Sequence, residues 1–88
     1  MTFVVRNNGT VVHELAVLKT NLAQNQIPTD PTQPGKVLEP GLIGRVAGLA
    51  PGASASLTLN LSAGSYVLIC NEVAHYVASM HTAFTVTP

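Results

Sequence analysis

Residues 54–61 alternate without a fault: Ala55, Leu57, Leu59 and Leu61 stand against Ser54, Ser56, Thr58 and Asn60. Side chains of a strand point to opposite faces in turn, so a period of two over this length specifies a strand with one dry and one wet face. The dry face must be buried, and no long amphipathic helix is written anywhere in the chain to cover it. Other strands and loops have to do so.

Further strands follow the same reading. Residues 2–6 are β-branched and aromatic, and Asn7-Asn8-Gly9 follows as a turn that tolerates positive φ. Residues 11–20 then form the second half of a hairpin. Val11, His13, Leu15 and Val17 share one face of it, and Val12, Glu14, Ala16 and Leu18 the other. An apolar set on both faces predicts a strand covered on both sides. Residues 21–41, with Pro28, Pro31, Pro34, Pro40, Gly35 and Gly41, read as a long loop, with a helical turn expected over residues 22–27. Residues 42–49 read as a short irregular strand, since Gly44 and Gly48 interrupt it. Ala50-Pro51-Gly52 and Ala63-Gly64 are turns. Tyr66, Leu68 and Cys70 share a strand face, as do Met80, Thr82, Phe84 and Val86 in the closing strand. Short strands separated by turns predict an all-β sandwich or barrel.

The 88 residues suffice for a single domain, residues 1–88. Four basic residues balance four acidic ones, and only 9% of residues are charged. This excludes the basic footprint of a nucleic-acid binder and the polybasic patch of a membrane-surface protein. No apolar run is long enough to span a membrane. No basic, then apolar, leader opens the chain, so no signal peptide is visible. The single cysteine makes no internal disulfide. So small a core benefits from a staple, and the staple, if there is one, is a metal, a partner or an oligomer.

The cysteine points to the first of these. Cys70, His75 and Met80 are spaced Cys-x4-His-x4-Met between two strands, and His13 lies on an apolar strand face upstream. A thiolate, two imidazoles and a thioether are the ligand set of electron-transfer copper sites, a His₂Cys plane with a weak axial Met. The sulfur donors are soft and suit Cu(I), while the imidazoles suit Cu(II). Each residue also has an ordinary reading: a buried small hydrophobe for Cys, a satisfied core residue for His, packing for Met. The even spacing of all three in one inter-strand loop is what packing does not explain.

These segments resemble the cupredoxins. Residues 4–15 (VVRNNGTVVHEL) look like that family's first-ligand hairpin, and residues 49–57 (LAPGASASL) like its turn-and-strand segment. Residues 66–70 (YVLIC), His75-Tyr76 and residues 80–86 (MHTAFTV) resemble the remaining ligand loop and final strand. The Cys-to-His spacing is similar to that of rusticyanins and sulfocyanins. The resemblance implies a Greek-key β-sandwich and one type-1 copper per chain, held by His13, Cys70, His75 and Met80. It further implies a blue-copper electron carrier, with redox partner proteins and a periplasmic or extracytoplasmic setting. The chain departs from the family at three places. Val73-Ala74 stands where Pro-Gly often precedes the second His, and Ser79 where a Gly often precedes the Met. The strands that usually precede the first-ligand hairpin are missing.

A dinuclear copper centre needs two cysteines, and multicopper enzymes carry a His beside the Cys. Cys70 is alone and is flanked by Ile69 and Asn71, so no enzyme is expected. A copper- or zinc-binding storage or chaperone module remains the alternative, because His₂Cys also binds zinc. A metal-free structural sandwich is the third reading. Glu14 faces away from His13 and is placed to tie the hairpin to the Cys loop, Asn71 to brace the ligand segments, and Glu72 to be solvated. Tyr66 and Phe84 belong to the core, and His81 to the surface. Val73, Ala74, Tyr76 and Ala78 form a candidate apolar patch around His75. With the preceding strands missing, Thr2–Arg6 and residues 82–87 present an exposed strand edge, and a homo-oligomer joined there is expected.

Overall fold

The computed structural model describes residues 1–72, 75, 76 and 80–87. Among them are six strands and no helix: β1 (Thr2–Arg6), β2 (His13–Lys19), β3 (Leu42–Leu49), β4 (Ser54–Thr58), β5 (Gly64–Ile69) and β6 (His81–Val86). Exposure follows the alternation of residues 54–61 to its end, although strand pairing stops at Thr58.

All pairing is antiparallel, in a two-stranded sheet β1-β4 and a four-stranded sheet β3-β2-β5-β6. Two antiparallel sheets are what a β-sandwich requires. The expected hairpin between residues 2–6 and 11–20 does not form. β1 pairs instead with β4, Thr2 opposite Thr58 and Arg6 opposite Ser54. The reason lies at Asn7, whose N–H donates to the Ala53 carbonyl (2.9 Å) and whose carbonyl accepts from Gly52 (2.7 Å). These bonds continue the β1–β4 ladder around a corner, and residues 7–12 carry the chain from one sheet to the other.

β2 lies between β3 and β5, and its Ala16, Val17 and Leu18 are fully buried. Both faces of the larger sheet are therefore covered. On one face, Ala16, Leu18, Val67 and Ile69 pack with Ile27 and Val37 of the long loop and with Tyr76. That loop is organised by a bridge between Thr29 and Val37 and by Leu38 donating to the Pro28 carbonyl (2.8 Å). It closes onto β2 at Gly41, whose carbonyl accepts from Lys19. A Cβ at Gly41 would lie 2.0 Å from the Lys19 carbonyl oxygen, and φ there is +71°, so only glycine fits. The helical turn expected over residues 22–27 is absent. Gln26 donates to Ala23 to close a tight turn, and Ile27 dives into the core.

On the other face the small sheet packs through aromatic rings. Phe84 meets Phe3 edge-on at 5.7 Å and Tyr66 at 5.4 Å. Leu59 fills the space that a side chain at Gly44 would take. β3 carries two register shifts, one of them between the partners of His13 and Leu15, beside Gly48 with its φ of +62°. Such a bulge bends β3 where His13 begins β2. Among the described residues, β1 has a strand neighbour only at β4 and β6 only at β5. The long loop covers the face turned away from β1 and meets β6 there, where Gln24 bonds His81.

Candidate metal centre

Cys70 directly follows β5, and its N–H donates to the Met80 carbonyl (3.0 Å), extending the β5–β6 ladder one step beyond Ile69 and His81. Alternation then puts Cys70 with Leu68 and Met80 with Thr82, on the face turned toward the small sheet. His13 shares that face, because Val17 of β2 lies opposite Leu68. His75 is returned to the site by backbone bonds. Its N–H donates to Glu72 (3.0 Å), and its carbonyl accepts from Met80 (3.1 Å).

Three side chains converge. The Nδ1 atoms of His13 and His75 lie 3.2 Å apart, and Cys70 Sγ lies 3.7 Å from the first and 3.2 Å from the second. A metal that binds nitrogen at ~2.0 Å and thiolate sulfur at ~2.3 Å holds such atoms roughly 3.3–3.8 Å apart at tetrahedral to trigonal angles. The triangle matches within a few tenths of an ångström. His13, Cys70 and His75 could therefore hold a metal ion. Cys70 is 4% exposed, and both rings are half-buried.

Surrounding bonds aim these groups. Glu14 donates its N–H to Cys70 Sγ (3.3 Å), while its carboxylate accepts the N–H of Asn71 (3.0 Å). The tie from β2 to the Cys segment expected of Glu14 is thus present. Asn71 braces the site too, but toward the long loop. Its side chain exchanges two hydrogen bonds of 2.9 Å with the backbone of Val37 and donates to Glu39 (3.1 Å). Arg45 pairs with Glu39 and lies 4.0 Å from Glu14. The hydrogen bond to Glu39, aided by the charges of Glu39 and Glu14, holds the Arg45 guanidinium above its ordinary value.

Met80 does not stand inside the triangle's hydrogen-bond network as a side chain; its backbone does. It is 37% exposed and borders two cavities, one lined also by Cys70 and the other by His13. His81 faces the opposite way, as alternation requires. It is half-buried rather than on the surface, bonded to Gln24 (2.8 Å) with its ring 4.8 Å from that of Tyr76. Tyr76 is no part of an apolar surface patch. It is 7% exposed, and its hydroxyl accepts from Ile27 (3.0 Å) and donates to the Gln24 carbonyl. Val73, Ala74, Ala78 and Ser79 lie outside the described residues.

Sequence reasoning took Asn7 and Gly9 for plain turn residues. Asn7 is buried, and its side-chain amide donates to the carbonyls of Val11 and Leu49 (2.8 Å each) while its oxygen accepts from Gly9 (2.8 Å). It thereby holds the chain entering His13. A Cβ at Gly9 would come within 3.1 Å of His13 Nε2, so the glycine makes room for the ring. The Asn-x-Gly spelling carries the turn but not this second task. Compared with family models, curated proteins and solved structures, the chain matches none.

Proposed function

We propose that this protein is a mononuclear blue-copper electron carrier of cupredoxin type, with His13, Cys70, His75 and Met80 as ligands. The observation that carries the reading is the convergence of His13, Cys70 and His75, drawn from sites up to 62 residues apart, into one triangle of donor atoms. A bound copper ion would supply a one-electron Cu(II)/Cu(I) couple. The residues supply the rest. Cys70 and Met80 offer soft sulfur and the histidines borderline nitrogen, a donor set suited to both oxidation states. The Glu14 N–H supports negative charge on the Cys70 sulfur and fixes its direction. Backbone bonds of Cys70, His75 and Met80 to one another hold the donors in place and limit rearrangement when the electron moves. The order β3-β2-β5-β6 opposite β1-β4 supports a Greek-key sandwich.

Titration with Cu(II) tests this. One equivalent per chain with intense visible absorption is expected, and Cys70→Ser should abolish the colour by removing the charge-transfer donor. Colour that survives in that variant overturns the assignment. Met80→Leu should keep copper and raise the reduction potential; a lowered potential rejects the axial role. Stoichiometric but colourless binding, with zinc preferred, would replace the carrier by a metal-holding module, since His₂Cys suits zinc as well.

The same reading includes redox partner proteins in a periplasmic or extracytoplasmic setting, and a homo-oligomer. Support for the oligomer comes from the edges of β1 and β6 that pair with no strand among the described residues and from Val4, 79% exposed on β1. Light scattering at micromolar concentration should give at least a dimer mass, and a clean monomer removes this part.

A further inference from the structure

The carboxylate of Glu14 is a charged group built next to the ligands. Its side chain is only 7% exposed, and it sits one residue from His13 and bonds the residue after Cys70. Burying a carboxylate is costly unless it is paired. Here the pairing is incomplete. Arg45 stands 4.0 Å from Glu14 and gives its shorter contact to Glu39. Asp30 and Lys36 line the same cavity, so three carboxylates face two cations and one negative charge is left uncompensated beside the centre. Asn71 couples both carboxylates to the Cys segment, through its N–H to Glu14 and its amide to Glu39.

We propose that Glu14 is a positioning residue whose buried charge, offset by Arg45, biases the centre toward the more highly charged cation. This rests on the reading of His13, Cys70 and His75 as metal ligands. Negative charge in a partly screened interior stabilises a divalent ion more than a monovalent one. Glutamine at position 14 keeps an acceptor for the Asn71 N–H and removes the charge. Arg45 pairs with the two carboxylates and not with a proposed ligand, so its charge opposes theirs at the metal.

The test compares wild type with Glu14→Gln, Glu39→Gln and Arg45→Gln. Zinc affinity is measured by chelator competition, and the copper potential by redox titration. Glu14→Gln should weaken zinc binding about tenfold, as loss of an outer-shell partner commonly does. A tenfold loss of preference for Cu(II) over Cu(I) reads as a rise of about 59 mV for one electron. Glu39→Gln should move both quantities the same way by less. Arg45→Gln should tighten zinc binding and lower the potential. Shifts of the same sign for Glu14→Gln and Arg45→Gln, or none, overturn the proposal, because a purely structural brace weakens the site whichever side is cut. If zinc binds without coloured copper, the electron-carrier reading fails and the zinc series still decides the role of Glu14. If neither metal binds to the wild type, both readings fall.

Discussion

The two faces of the four-stranded sheet differ in kind. Toward the loop, Ala16, Leu18, Val67 and Ile69 are closed off by Ile27, Val37 and Tyr76, and none of the seven is more than 7% exposed. Toward the small sheet, the Tyr66 end is packed against Phe84, but the other end opens at half-buried His13 and exposed Met80. One strand, β2, serves both: Ala16 and Leu18 on the closed face, His13 on the open one. The difference teaches a division of labour set by alternation. The closed face carries stability and releases the open face to hold polar, reactive side chains that pack poorly.

The largest separation between the faces is expected from truncation. Leu18→Ala on the closed face should cost about 3 kcal/mol in denaturant unfolding, within the range for fully buried leucines. Leu68→Ala on the open face, where the side chain is only half-buried, should cost about 1 kcal/mol. Equal losses would break the comparison.

A middle-sized effect is expected at Tyr76→Phe. Loss of the hydroxyl strands the Ile27 N–H and the Gln24 carbonyl, at about 1–3 kcal/mol. Hydrogen exchange should quicken at Ile27 and Val37 while the amides of β4 stay protected. Uniform quickening would mean that the loop and the sheets open as one unit.

The smallest effect concerns acid and the loop alone. Hydrogen bonds from the Thr32 side chain and backbone, and from Gln33, hold the Asp30 carboxyl below its ordinary value of 3.8. A carboxyl depressed by folding contributes stability above its unfolded value, and that contribution fades as pH falls through the folded one. Asp30 is partly exposed and its carboxylate is bonded only to neighbours in its own loop, so the loss should be slight and absent in Asp30→Asn. An NMR titration placing Asp30 at or above its ordinary value would show that these bonds do not persist in solution.

Much of this molecule was legible from local pattern. The alternation of residues 54–61, a strand over residues 65–70 that the structure shifts by one residue to Gly64–Ile69, and the common face of Leu68 and Cys70 all follow from the geometry of an extended chain, which each residue obeys whatever its partners. So does the turning of His81 away from Met80. The identities of His13, Cys70 and His75 as candidate ligands came from donor chemistry and spacing.

Tertiary structure decided what alternation leaves open, namely which strand edge meets which. Alternation alone allows β1 to pair with β2 or with β4. The strand took β4 because the corner at Asn7 satisfies its backbone against Gly52 and Ala53, and because Phe3 then reaches Phe84 across the sandwich. The long loop carries no periodicity, so its burial of Ile27 and Val37 depended on a sheet face being there to receive them. The ring formed by Glu14, Arg45, Glu39 and Asn71 was hidden for the same reason. Its members lie as far as 57 residues apart, and only the pairing of β2 with β3 and β5 brings them within reach.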